Sequence, residues 1–190
     1  MAQPLYFDRI LEKPGLDRLI TDVNWSSRTE ARYECFISET PIEYEYSRGR
    51  GLRTYTSVPY HAGIDESLQK VNAFLENLSI DNGIEFRPMD GCFLNRYDSD
   101  KQHIGWHSDD FKGMDHAAPV CVVSFGEPRE IWWKEIGYKG EIPSNQRQLL
   151  NDGSLFIMPP GFQHTHMHKI PKGDRKMGPR VSLTFRRFNI

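Results

Sequence analysis

Beyond residue 84 the sequence breaks into short alternating runs separated by turn signals, and this punctuation constrains the fold more than any other feature. Strands are expected at 92–97, 104–107, 120–125, 130–134, 148–150, 154–158, 164–169 and 180–188. Asp98-Ser99-Asp100, Gly126-Glu127-Pro128, Asn151-Asp152-Gly153 and Pro159-Pro160-Gly161 supply the turns between them. Many short strands with frequent turns favour a sandwich or jelly roll over a parallel α/β sheet. The run at 180–188 is the sharpest. Val181, Leu183 and Phe185 form its apolar side, and Arg180, Ser182, Thr184 and Arg186 its polar side. Two arginines on an inner strand face require anions to meet them, because buried charge must be paired.

The first half reads differently. An amphipathic helix is expected over 8–23, interrupted at Pro14-Gly15, and a strand over 41–46. Residues 47–53 form a Gly-rich loop with Arg48, Arg50 and Arg53. A clearer helix is expected over 65–80, with Asp65 as N-cap, a buried stripe of Leu68, Val71, Phe74, Leu75 and Leu78, and Gly83 in its stop. A chain of 190 residues, 38% hydrophobic and 12% aromatic, fits one domain with a substantial core. The expected division is an N-terminal extension and lid over 1–89 and a β core over 90–190, in one catalytic domain.

A formal net charge of -2 excludes a strongly basic nucleic-acid coat, though not a local patch such as Lys172, Arg175 and Lys176 in the loop at 171–179. Cys35, Cys92 and Cys121 are scattered without a Cys-x-x-Cys, which suits a reducing compartment and no disulfide framework. With no signal core or membrane-length apolar stretch, the chain is expected to be soluble, intracellular and monomeric.

The chemistry centres on His107-Ser108-Asp109. In a strand, residues i and i+2 share a face, so His107 and Asp109 could reach one ion. Such a pair alone is more often surface hydrogen bonding; its surroundings raise it. Asn95 and Tyr97 share a face upstream, and His164, His166 and His168 share one downstream if that segment is a strand, leaving the third ligand open among the three. Two His and one carboxylate with open positions form the facial triad of non-haem iron(II) oxygenases. Zinc could take the same ligands in a hydrolase. The two arginines favour an enzyme that must hold a dicarboxylate.

Taken together, Phe93-Leu-Asn-Arg-Tyr97, His103-Ile-Gly-Trp-His-Ser-Asp-Asp110, Val123-Ser-Phe-Gly126, Asp152-Gly-Ser-Leu155, His168-Lys-Ile-Pro171 and Arg180-Val-Ser-Leu-Thr-Phe-Arg186 resemble the AlkB family of iron(II)- and 2-oxoglutarate-dependent nucleic-acid dealkylases, in the family's order. The N-terminal third matches only loosely. The resemblance implies a mixed α+β, mainly β fold: a double-stranded β-helix (jelly roll) core with an N-terminal, helix-containing nucleotide-recognition lid. It points to His168 as third ligand, since the family's last metal histidine is followed by a hydrophobic residue and often Pro. It implies that His107, Asp109 and His168 bind Fe(II). Arg180, with Tyr97 and Ser182, would hold the far carboxylate of 2-oxoglutarate, where a guanidinium fork matches a carboxylate. Arg186 and Asn95 would hold the carboxylate beside the keto group, with Thr184 on the same strand face.

By the same resemblance, 2-oxoglutarate and O2 are consumed while an alkyl carbon on a base nitrogen is hydroxylated and lost as an aldehyde. The expected partner is alkylated DNA or RNA, single-stranded or with the base flipped out. Asp110, Tyr55 and Arg53 are candidates for gripping that base. Trp106, Trp132 and Trp133 are expected to be core more than stacking platform. Phe111 departs from members that carry another acid there. The alternatives are the same oxygenase chemistry on a protein or small molecule, a non-catalytic binding relative, and a zinc hydrolase. Against a non-catalytic relative stands the joint presence of His107, Asp109, His168, Arg180 and Arg186.

Overall fold

In a computed structural model, residues 3–11, 16–46, 52–59, 62–82, 85–109 and 111–189 are described. Strand β1 (Leu5–Phe7) comes first, and of the interrupted helix expected over 8–23 the part beyond Pro14-Gly15 is helix α1 (Leu16–Asp22), while residues 8–11 are not helical. β2 (Ser26–Thr29) and β3 (Arg32–Ser38) follow, then a hairpin of β4 (Glu43–Tyr46) and β5 (Arg53–Thr56). Helix α2 (Ala62–Asn82) buries Ile64, Leu68, Val71 and Leu75 at helical spacing. Asp65 lies inside its first turn, where it meets the positive end of the helix dipole instead of capping it. Gly83 lies outside the described residues.

The strands expected beyond residue 84 are present within a residue or two: β6 (Gly91–Tyr97), β7 (Ile104–His107), β8 (Val120–Gly126), β9 (Arg129–Glu135), β10 (Arg147–Leu150), β11 (Ser154–Met158), β12 (His166–Ile170) and β13 (Arg180–Arg186). One boundary is corrected. Residues 162–165 form the short helix α3 (Phe162–Thr165), entered through Gly161 at φ 74, so His164 is not on the β12 face. Among the described residues, no helix is long and apolar enough to cross a membrane.

A seven-stranded sheet runs β1-β11-β8-β13-β6-β3-β2 and a four-stranded sheet runs β10-β9-β12-β7. The pairs are antiparallel, as a jelly roll requires. Strands β1, β2 and β3, from the first 89 residues, thus extend the larger sheet. Alternation gives the larger sheet two distinct faces. Cys92, Leu94, Val123, Leu155, Val181, Leu183 and Phe185 pack in one cluster with Leu19 of α1 and Leu68 and Val71 of α2. Phe36, Phe93, Tyr97, Val122 and Phe156 pack in the other with Ile131 and Trp133 of the smaller sheet. The polar side of β13 shares this second, inter-sheet face. Register lines its side chains up with those of its neighbours: Ser182 pairs with Ser124 and with Asn95, and Asn95 pairs with Glu34. A polar row therefore crosses four strands between the two sheets.

The hairpin lies over this space. Tyr44 stacks on Phe111 with centroids 4.2 Å apart and on Tyr55 at 5.2 Å, while Tyr55 meets Phe93 edge-on at 5.0 Å. Trp133 is core, packed on Phe156. Trp106 and Trp132 are not. On the outer face of the smaller sheet, Lys169 lies 4.8 Å from the Trp106 ring and 4.3 Å from that of Trp132, and Arg147 covers Trp132 at 4.3 Å.

Candidate metal and co-substrate site

β7 and β12 pair with His107 opposite His168, both turned toward the inter-sheet space. Asp109 lies just past the end of β7. Its backbone N–H donates to Oε1 of buried Gln163 at 2.9 Å, which fixes the carboxylate relative to the strand. The ligand atoms of His107, Asp109 and His168 all lie within 4.8 Å of one another, and this is the candidate metal group among the described residues. Nε2 of His107 is 3.7 Å from Oδ1 of Asp109, and Nε2 of His168 is 3.9 Å from Oδ2. His107 Nδ1 donates to the Gly105 carbonyl at 2.9 Å, so Nε2 carries the lone pair facing the carboxylate.

The protonation states suit a divalent cation. Burial lowers the pKa of His107 and pushes that of His168 down to about 3, keeping both rings neutral. For Asp109, burial opposes ionisation, yet the Arg186 guanidinium beside it outweighs that and holds the carboxyl well below its usual range. Arg186 Nη2 bonds Asp109 Oδ1 at 2.9 Å. Oδ2 remains buried without a hydrogen-bond partner. A buried anionic oxygen with no donor, beside two neutral imidazoles, is the donor set a metal ion satisfies.

The arginines complete the site. Arg180 is fully buried, and its Nε donates to Ser124 Oγ at 2.9 Å. Neither terminal nitrogen reaches good hydrogen-bond geometry with a protein group, although the Tyr97 side chain stands close enough to favour the charged form, its ring 5.4 Å from the guanidinium carbon. Burial lowers this guanidinium to about 10. Two adjacent, buried, unpartnered N–H groups match a carboxylate bidentately. Asn95, Ser182 and Thr184 lie between Arg180 and Arg186 on the same buried face.

Other expected residues are distributed as follows. His166 stacks on Phe162 with centroids 4.3 Å apart, and His164 lies against His116 at 4.0 Å, so neither joins the metal group. Tyr55 is packed under the hairpin. Arg53 lies beside it, its pKa raised mainly by a hydrogen bond to the Tyr55 side chain. Asp110, Arg48 and Arg50 lie outside the described residues. Three residues in contact with this group escaped the sequence: Gln163, between the turn at 159–161 and the strand expected from 164; Ser124, the inward residue of Val120-x-Val122-x-Ser124; and Arg32, on a strand signalled only by Tyr33, Cys35 and Ile37.

A jelly roll with two histidines and an aspartate between its sheets, faced by buried arginines, has the architecture of a mononuclear iron(II) oxygenase that takes an acidic co-substrate. The chain belongs to the 2OG-Fe(II) oxygenase superfamily, whose model it matches over residues 20–186. Membership implies Fe(II) and 2-oxoglutarate, and the His107, Asp109 and His168 group could bind the metal. The relatives are AlkB homologues, as the motifs implied. The chain is 35% identical over 98 residues to DNA oxidative demethylase ALKBH2 of Mus musculus, covering 50% of this chain and 41% of that one. It is 28% identical over 177 residues to alpha-ketoglutarate-dependent dioxygenase alkB homolog 3 of Homo sapiens, covering 90% and 59%. The match thus spans less than two thirds of either relative. The solved structure of OsALKBH1 shares the fold, with a TM-score of 0.63 at 15% identity over 97% of this chain and 96% of that one.

Proposed function

We propose that the chain is a single catalytic domain that oxidatively dealkylates N-alkylated bases in DNA or RNA. The observation that carries this reading is the pairing of a His107, Asp109 and His168 group, of which Asp109 and His168 are buried and His107 partly so, with Arg180, whose buried terminal nitrogens have no hydrogen bond of good geometry. His107, Asp109 and His168 would hold Fe(II), with Arg186 orienting the Asp109 carboxylate. Arg180, helped by Tyr97 and Ser182, would take the far carboxylate of 2-oxoglutarate; Asn95, Arg186 and Thr184 would line the near one. When bound, Fe(II), O2 and 2-oxoglutarate together supply the oxidation of the alkyl carbon. The chain's own contribution is position and exclusion of water. Its aromatic hairpin walls the space beside the metal group, and Arg53 with the Tyr55 hydroxyl would meet the base from that side.

A base inside a duplex cannot reach such a site, so the substrate is single-stranded or flipped out, and the protein acts as a monomer. The names of the curated relatives support a nucleic-acid substrate. Three buried free cysteines suit an intracellular location. The test is incubation with Fe(II), 2-oxoglutarate, ascorbate and a single-stranded oligonucleotide carrying 1-methyladenine or 3-methylcytosine, followed by mass spectrometry. Loss of the methyl group, abolished by Asp109→Ala, is expected. Succinate formed with the oligonucleotide unchanged would move the substrate to a protein or small molecule.

A further inference from the structure

Arg32 of β3 lies outside the motifs that define the site, yet it is wired into it. Its Nε donates to Asn95 Oδ1 at 2.6 Å. Its Nη2 bonds Glu34 Oε2 at 2.9 Å. Glu34 is itself buried and meets Arg28 Nε at 3.2 Å through its other oxygen. Arg28 in turn donates to the Thr54 carbonyl of the hairpin at 2.7 Å and lies 4.6 Å from the centre of the Tyr55 ring. A continuous polar chain thus joins the hairpin to the end of the inter-sheet polar row.

An asparagine amide has two ends of opposite polarity, and nothing in its shape decides which end faces where. A guanidinium can only donate. Arg32 therefore fixes Oδ1 on its own side and leaves the Nδ2 amine on the other branch, where it bonds no described residue. Were the amide reversed, its carbonyl would confront the anionic co-substrate and its amine would confront Arg32. Lysine could not replace this arginine, because only the planar fork reaches Asn95 and Glu34 together.

We propose that Arg32 is a positioning residue that sets the polarity of the Asn95 amide, so that Nδ2 is presented as a donor to a 2-oxoglutarate carboxylate. The proposal rests on the co-substrate assignment above. Arg32 acts through Asn95 and is held in place by Glu34 and Arg28.

The test is binding of 2-oxoglutarate to the full chain loaded with Mn(II), measured calorimetrically without turnover. Arg32→Met, Asn95→Ala, the double variant and Arg180→Met are compared. Loss of one oriented donor should weaken 2-oxoglutarate about tenfold in Arg32→Met, with Mn(II) affinity unchanged. A double variant no weaker than Asn95→Ala supports the proposal, as does only partial recovery in Arg32→Lys. Additive losses would mean that Arg32 touches the co-substrate directly, and an unaffected Arg32→Met with a weakened Asn95→Ala would mean that the amide needs no orienting; either overturns it. If Asn95→Ala and Arg180→Met both bind normally, the co-substrate assignment fails and the proposal with it. Arg32→Met/Glu34→Gln removes both charges together, and the same tenfold loss is expected should Arg32→Met alone fold poorly.

Discussion

Replacing Arg180 by Met should make the ligand-free protein more stable while abolishing its response to 2-oxoglutarate. Burial pulls this guanidinium from its ordinary range down to about 10, which at roughly 1.4 kcal/mol per pH unit is about 3 kcal/mol against the charged form. The two buried terminal nitrogens without partners are the source of that cost and add nothing to it. Methionine removes it, but it strands the Ser124 hydroxyl and fills the volume imperfectly, costing about 1–3 kcal/mol. The net expectation is a gain of up to about 2 kcal/mol in the unliganded state. The opposite holds for binding: a bidentate, charge-assisted pair is worth roughly 3 kcal/mol or more, so affinity for 2-oxoglutarate should fall at least about a hundredfold. Thermal unfolding of both proteins with Mn(II), with and without 2-oxoglutarate, measures both effects. Wild type should melt higher with the diacid, and Arg180→Met should melt at one elevated temperature in either condition. A variant destabilised by more than about 2 kcal/mol that still gains stability from 2-oxoglutarate would refute the assignment of Arg180 as the carboxylate clamp.

The metal-free protein should lose stability on mild acidification. Below about 6.5 the unfolded chain takes up protons that partly buried His107 and buried His168 refuse, costing up to roughly 1.4 kcal/mol per pH unit for each, and Asp109, held ionised when folded, adds to the loss below about 4. An unchanged melting temperature between pH 7.5 and 5.5 would contradict the buried-neutral state of the two rings. Gln163→Leu, which removes the acceptor for the Asp109 amide, should weaken Mn(II) binding about tenfold in a titration with little change in fold; undiminished affinity would show that the loop holds itself. In the loop at 171–179, Arg175 is tied to Glu127 at 2.7 Å while Lys172 and Lys176 are exposed. Oligonucleotide binding should therefore weaken steeply with salt, and Lys172→Ala/Lys176→Ala should reduce the slope by about 1–2. A flat salt titration of the wild type would exclude phosphate contacts by this loop.

Much of the β core was legible because its strands are short and two-sided. Apolar Val181, Leu183 and Phe185 against polar Arg180, Ser182, Thr184 and Arg186 declared both a strand and a charged interior. Three kinds of information were not. β3 offers Arg32, Glu34 and Ser38 on one face, which resembles a solvent face until the second sheet covers it. The histidine trio looked like one strand because alternation is blind to the turn made at Gly161, so His164 was grouped with His168. Tertiary partners have no local signature: nothing near Gln163 announces Asp109, 54 residues away along the chain. Tyr55 stood out only as a candidate of the N-terminal segment, and its packing against Tyr44 and Phe93 depends on contacts no window of sequence contains.

The last long strand of the chain has no neutral way to slide. Moved along its neighbours by a single position, Arg180–Arg186 would drive both guanidinium groups into the hydrocarbon beside the helices and carry leucine and phenylalanine into the cleft. Alignment and chemistry are thus enforced by the same seven side chains. A one-residue insertion there would cost the enzyme its fold and its co-substrate together, whereas the exposed loop at 136–141 could absorb the same insertion with little consequence.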